Sequence, residues 1–427
     1  MAMSFSLSIY AQDDIYPAPP QKGTFYITNA TIHVGNGTVI NSGTIKITDG
    51  KIAEVGNNVS ASGGEIIDAK GKQVYPGLIL SETDLGLKEI ANAVRGSNDY
   101  QELGEWNPNV QSAVAYNTDS KIINTLKANG ILLANVAPTG SLIAGSSSAV
   151  QLDAWNWEDA LYKRNTCMEF YMPSLISRRR GFGGGFFGQQ QPQTDPVKEG
   201  LDKIEEVKKF FREAKAYAQE ANHKETNLKF EALKPLFEKK EKLFVHADMV
   251  KQLLIAVDFV KEFGIDAVVV GGSESWQIAD LLKQNNISVI LSREFRLPET
   301  EDEDVDQPFK TPYVLKQAGV LFALNDDHDQ SRYRNLAFNA GQAVAYGLTK
   351  EEALQAITLN PAKILGIDDR TGSIEAGKDA NIVVSEGDIL DMRSSIITAA
   401  FIQGRKVSLE NKQTQLYNRY MTKYGLK

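Results

Sequence analysis

The feature that most constrains this chain is a change of hydrophobic period along its length, strand-like at both ends and mixed in the middle. From Thr24 to about Val74 short alternating runs are broken by turn residues, as in TFYITNATIHV at 24–34 and GTIKITDGKIAEVG at 43–56. Asp49-Gly50 between two such runs is a strong hairpin signal, because both turn positions need positive φ. A second strand-rich patch returns in GSIEAGKDANIVVSEG at 372–387 and SIITAAFIQGRKVSL at 395–409. Either patch alone is thin for a sheet core. The economical arrangement is one composite β-sandwich built from both termini, residues 23–73 plus 372–412, with the middle of the chain inserted.

Residues 74–371 carry apolar strand runs separated by amphipathic stretches. The runs are VYPGLILSE at 74–82, GILLANVAP at 130–138, KLFVHAD at 242–248, IDAVVVGG at 265–272, ISVILS at 287–292 and GVLFALND at 319–326. Continuous apolar strands alternating with helices indicate a parallel sheet, and this length suits a closed (β/α)8 TIM barrel. Six strands are identifiable; the shortfall lies between about 147 and 240. That stretch includes SRRRGFGGGFFGQQQPQ at 177–193, which reads as a mobile surface loop rather than a nucleic-acid segment. Lys and Glu at helical spacing over 197–240 read as a solvated helical pair. Residues 413–427 form a C-terminal tail.

Composition narrows the chemistry. With one cysteine, Cys167, the chain can build no intramolecular disulfide and no cysteine-based zinc site. Four histidines, His33, His223, His246 and His328, are few for a catalytic zinc centre. A net charge of −8 argues against a nucleic-acid footprint spread over the surface. No run approaches the roughly 20 apolar residues of a membrane span. Residues 1–22 read as a signal-peptide remnant and flexible terminus, since apolar Phe5–Tyr10 and Ala11-Gln12 precede an acidic, proline-rich segment. A periplasmic or secreted location follows from that reading, and a cytoplasmic one otherwise.

Three segments resemble the amidohydrolase superfamily, nearest to its imidazolonepropionase-like branch. They are DGKIAEVG with GKQVYPGLIL at 71–80, PTGSLIAGSSSAVQLDAWNWEDA at 138–160, and GLTKEEALQAITLNPAKILGIDDRTGSIEAGKDANIVV at 347–384. The resemblance runs from about Thr24 to Val407. It implies hydrolysis of a C–N bond at the C-terminal mouth of the barrel, with one or two divalent metals polarising the substrate carbonyl and activating water. An aspartate at the end of the last strand is then expected to move the proton.

Matched position by position, the family's ligand pattern is altered. Leu80 stands where the first-strand aspartate is expected, and Glu82 and Asp84 occupy the two His-x-His positions. Their i, i+2 spacing keeps both side chains on one side of the strand. Carboxylates are harder ligands than imidazoles and shift preference from zinc towards magnesium, manganese or calcium. His246 matches the histidine of strand five, whereas Gly271-Gly272 replaces the His-Gly pair of strand six and supplies no donor. Asp327 matches the catalytic aspartate, with Asp326 the alternative if the register slips; His328 would point the other way. The bridging lysine or carboxylate of strand four is not located, and Glu169 is named for it without a motif. His33 and His223 read as structural or solvated. Asn107, Asn109, Trp155 and Trp157 read as packing rather than pocket residues.

Two functions stay open on these residues. One is metal-dependent hydrolysis of a non-peptide amide, lactam or cyclic ureide, with Glu82, Asp84 and His246 on the metal (Mn, Mg or Zn) and Asp327 catalytic. The other is a catalytically silent paralogue that binds a ligand or serves as a partner subunit. Expected partners are a small-molecule substrate and a further copy of the chain or a related amidohydrolase, with no nucleic acid.

Overall fold

The computed structural model describes residues 15–89, 98–140, 142–175, 195–220, 222–292, 294–298, 303–326 and 330–426. Residues 1–14 of the leader-like segment and the 177–193 loop lie outside them, as do Asp327 and His328.

Strands β1 (Thr24–His33), β2 (Val39–Thr48) and β3 (Lys51–Gly56) form an antiparallel meander. Asp49 and Gly50 turn β2 into β3 with φ of 47° and 82°, so both turn positions take the left-handed region. β1 then changes neighbours along its length: residues 25–28 pair in parallel with β4 (Glu65–Asp68), residues 31–32 with β5 (Gln73–Pro76). The sheet is completed from the far end of the chain by β14 (Ile382–Ser385), β15 (Ile397–Ile402) and β16 (Arg405–Lys406), β14 pairing antiparallel with β5. Its own apolar core includes Ile27, Ile32, Ile45, Ile47, Ile382 and Phe401.

A single residue, Gly77, separates β5 from β6 (Leu78–Thr83), the first strand of the second sheet. A side chain there would meet Leu132 Cδ1 at 2.7 Å. The second sheet runs from β6 through β7 (Ile131–Val136), β8 (Ile143–Gln151), β9 (Leu161–Tyr171), β10 (Lys242–Ala247), β11 (Ala267–Gly271) and β12 (Ser288–Leu291) to β13 (Phe322–Leu324). It is a nearly closed eight-stranded barrel. The two strands not identified from sequence are β8 and β9, and β8 runs antiparallel to both neighbours. The helix between them is one turn, Trp157–Ala160.

Between β13 and β6 the barrel is joined by other means. Asn325 accepts from Ser81 N–H at 3.0 Å and donates to the Glu82 carbonyl at 2.8 Å. The Ala356 and Ile357 carbonyls accept from Leu324 N–H and Ile79 N–H at 2.8 and 3.0 Å.

Helices cover the outside by burying one stripe each. In Val250–Phe263, Leu253, Ala256, Phe259 and Phe263 recur at three- and four-residue spacing and are buried. That helix stops at Gly264, left-handed at φ 69°, whose N–H returns to the Val260 carbonyl. Pro196–Gln219 starts on an Asp195 cap with proline in its first turn and buries Ile204, Val207, Phe211 and Ala214. Phe211 packs edge-on against Phe259 with ring centroids 4.8 Å apart. The tail is helical over Lys412–Lys423 and buries none of its side chains.

Candidate functional site

Three barrel strands aim carboxylates and an imidazole at one point. Glu82 lies near the end of β6, Glu169 on β9 and His246 on β10, and each offers a donor atom within 4.8 Å of the others. His246 Nε2 sits 2.9 Å from Glu169 Oε2 and 3.7 Å from Glu82 Oε1. The Glu169 side chain is fully buried and that of Glu82 nearly so. The His246 ring stacks on Tyr171 at 3.8 Å between centroids, which fixes its plane.

A polar layer beneath the cluster holds it in place. Asn135 on β7 donates to Glu82 Oε2 at 3.3 Å and to Ser147 Oγ at 3.2 Å, and accepts from Thr166 Oγ1 at 2.5 Å. The Cys167 thiol donates to Glu169 Oε1 at 3.4 Å. Burial pushes that thiol's pKa well up, and the charges of Glu169 and Glu82 add to the shift. Cys167 is therefore a neutral donor in this layer rather than a thiolate ligand.

Above the cluster opens a cavity of about 340 Å³, walled by Glu82, Asp84, Tyr171, His246, Asp248 and Tyr333 among others. Asp84 faces it from beyond the end of β6, apart from the Glu82–Glu169–His246 cluster. Its Oδ1 accepts from Tyr333 Oη at 2.6 Å, and Oδ2 lies 3.7 Å from Lys88 Nζ. Gly271, at the end of β11, lines the same cavity with φ 97°. A Cβ there would meet Asp248 Oδ1 at 2.6 Å, so Asp248 fills the space a strand-six side chain would take.

The structure thus brings Glu82 and His246 together with Glu169, and leaves Asp84 on the cavity wall. Asp326 is buried, its Oδ2 accepting from Asn339 Nδ2 at 3.0 Å. Asp327 lies outside the described residues. His33 joins Glu351 and Gln73 away from the cavity, and His223 stacks on Tyr217 at the surface. Asn107, Asn109, Trp155 and Trp157 do not line the cavity. Asp248, Tyr171, Tyr333 and Asn135 carried no sequence signal of their own; for Asp248 the pointer was its place two residues after His246, one step past the strand end.

The comparisons with known proteins converge on one family. The model of the amidohydrolase family matches residues 198–407. An amidohydrolase from Thermotoga maritima superposes with a TM-score of 0.76 at 27% identity, covering 90% of this chain and 99% of its own. The chain belongs to the amidohydrolase family. An imidazolonepropionase of Picrophilus torridus is 25% identical over 398 residues, 87% of this chain and 94% of that enzyme. A 5'-deoxyadenosine deaminase of Methanobrevibacter smithii is 22% identical over 392 residues, 84% of each. Both names describe enzymes that act on C–N bonds, and the imidazolonepropionase-like resemblance of the sequence is borne out.

An amidohydrolase of this kind works through a divalent metal, and the donors here fit one. Two ligands each about 2.1 Å from an ion lie roughly 3.0–3.4 Å apart at octahedral to tetrahedral angles. The contacts of 2.9 and 3.7 Å at His246 Nε2 bracket that range. Two buried carboxylates this close to each other also call for a cation between them.

Proposed function

We propose that this amidohydrolase binds one divalent ion through Glu82, Glu169 and His246 and hydrolyses a non-peptide C–N bond, in an amide, lactam or cyclic ureide, of a small molecule. The observation that carries the reading is the convergence of two buried carboxylates on one imidazole at the floor of a half-open cavity. The ion, when bound, polarises the scissile carbonyl and makes water nucleophilic at neutral pH. Asn135 and the Cys167 thiol hold the two carboxylates from below, and Tyr171 holds the imidazole plane. Tyr333 and Lys88 hold Asp84 at the rim. Asp327 is assigned the proton transfer to the departing nitrogen. The donor set, two oxygens to one nitrogen, favours Mn²⁺ or Mg²⁺ over Zn²⁺. The cavity, near the small end for ligand pockets, suits a metabolite-sized substrate.

A second reading, a silent paralogue acting as a ligand-binding or partner subunit, draws support from the single imidazole and from Asp84 being engaged elsewhere. The tail bears on the partner. Residues 412–427 hold four cations and no carboxylate in a chain of net charge −8, and Tyr417, Tyr420 and Tyr424 are exposed. Tyrosine with Arg and Met is the composition of interface cores, and the complementary surface is the acidic body of a second copy. Among the described residues no helix is long and apolar enough to cross a membrane; the location we propose, outside the cytoplasm, rests on the 5–12 pattern.

Elemental analysis of the purified protein separates the readings. The hydrolase predicts about one metal per chain after Mn²⁺ loading, lost in Glu82→Gln, Glu169→Gln and His246→Ala, with amide hydrolysis following the metal. No metal under any loading, with thermal stability unchanged by chelator, leaves the silent paralogue.

A further inference from the structure

We infer that the molecule this cavity accepts carries a positive charge, an amine or amidine-like group, and that Asp248 is the residue that selects it. The inference rests on the reading that the cavity above Glu82, Glu169 and His246 is the substrate site.

The argument is one of charge balance. Among the described residues lining the cavity, Glu82, Asp84 and Asp248 face a single group able to carry positive charge, His246. With an ion in place, its two charges are matched by Glu82 and the adjoining Glu169. Asp84 has Lys88 as its counter-charge at 3.7 Å. Asp248 has none. Without an ion, Glu82 and Glu169 add their own charge, and the wall is more negative still. In either state the described lining retains net negative charge, focused in a cleft of the barrel mouth.

Asp248 is also built to present that charge. It follows Ala247 at the end of β10, and its Oδ1 accepts from Ser273 Oγ at 2.8 Å and from Ser273 N–H at 3.4 Å. Gln252 Oε1 accepts from the N–H groups of Asp248 and Met249, at 3.4 and 3.3 Å, which holds the turn. One carboxylate oxygen is thus anchored, and Oδ2 has no partner among the described residues. Gly271, kept without a Cβ by φ 97° and by the 2.6 Å approach to Oδ1, leaves the carboxylate its place on the wall.

Three planar probes of nearly the same shape test this: benzamidinium, benzamide and benzoate, titrated calorimetrically into Mn²⁺-loaded wild type, Asp248→Asn and Ser273→Ala. Benzamidinium is expected to bind about tenfold or more tighter than benzamide, with benzoate weakest. Asp248→Asn should bring benzamidinium to within about threefold of benzamide, with metal content unchanged because Asp248 is not among the donors. Ser273→Ala should give an intermediate loss. Equal binding of benzamidinium and benzamide by wild type, or a preference that survives Asp248→Asn, overturns the proposal. So does benzoate binding tighter than benzamidinium in protein stripped of metal, where no ion can capture its carboxylate. Cation preference in a protein that takes up no metal refutes the hydrolase while supporting this inference; metal uptake without cation preference does the reverse.

Discussion

Gly271 shows how much one residue type decides at this mouth. Its φ of 97° is strained for any L side chain, and Asp248 Oδ1 occupies the space of a Cβ. Gly271→Ala should therefore lower unfolding free energy by about 1–3 kcal/mol, read as a lower urea midpoint with an unchanged slope. Introducing histidine there should be worse than alanine and should not create a fourth ligand. At this scale the sequence was legible where a motif position kept its strand parity: Glu82 and His246 are brought together because each lies on an inward-facing position of its strand. Glu169 was hard to assign because β9 itself was hard to see, and without a strand there is no facing. Asp84 shares the parity of Glu82 but lies past the strand end, where Tyr333 and Lys88 compete for its carboxylate.

The elements most readily read were those with one clean period. The Asp49-Gly50 hairpin and the buried runs of β7 and β10–β12 fall close to their expected positions. The hairpin β8–β9 did not announce itself, for a physical reason. All nine residues of Ile143–Gln151 are buried, so there is no alternation to detect, and three of them are serines. Ser147 spends its hydroxyl on Cys167 and Asn135 inside the barrel, which makes a polar run compatible with burial. The barrel's other departure, the seam between β13 and β6, depends on Asn325. Asn325→Ala would strand Ser81 N–H and the Glu82 carbonyl in a dry interior, a loss of about 2–4 kcal/mol. Because Glu82 is anchored there, the variant should also bind Mn²⁺ more weakly than wild type while it remains folded, as equilibrium dialysis at low temperature would show.

Across the whole molecule, the β1–β5 sheet and the barrel are latched by a titratable contact. His33 at the end of β1 lies 2.6 Å from Glu351, which belongs to the barrel-side helix Lys350–Gln355, and stacks on Tyr75. Burial works to lower the His33 pKa, but hydrogen bonds to Glu351 and Gln73, with Glu351 and Asp388 charge, outweigh it and leave it raised. The folded state thus prefers the protonated ring. The added stability is complete below about pH 6.5 and fades as pH climbs through the raised value. The urea midpoint of wild type should fall over that window relative to His33→Gln, whose midpoint lacks this component. If the exposed tail joins two copies, replacing Tyr417, Tyr420 and Tyr424 with serine should convert a dimer to a monomer in light scattering without changing metal content.

The pairing of β5 with β14 sets Tyr75 opposite Val383. A ribosome making this chain must therefore finish the barrel before the strand that completes its companion sheet has emerged. The early strands wait, their apolar faces uncovered, through some three hundred residues of synthesis, about half a minute at ordinary elongation rates. A truncated transcript would release a chain with a barrel sequence complete and an open sheet edge at β5, the form most exposed to chaperones and to strand-to-strand aggregation.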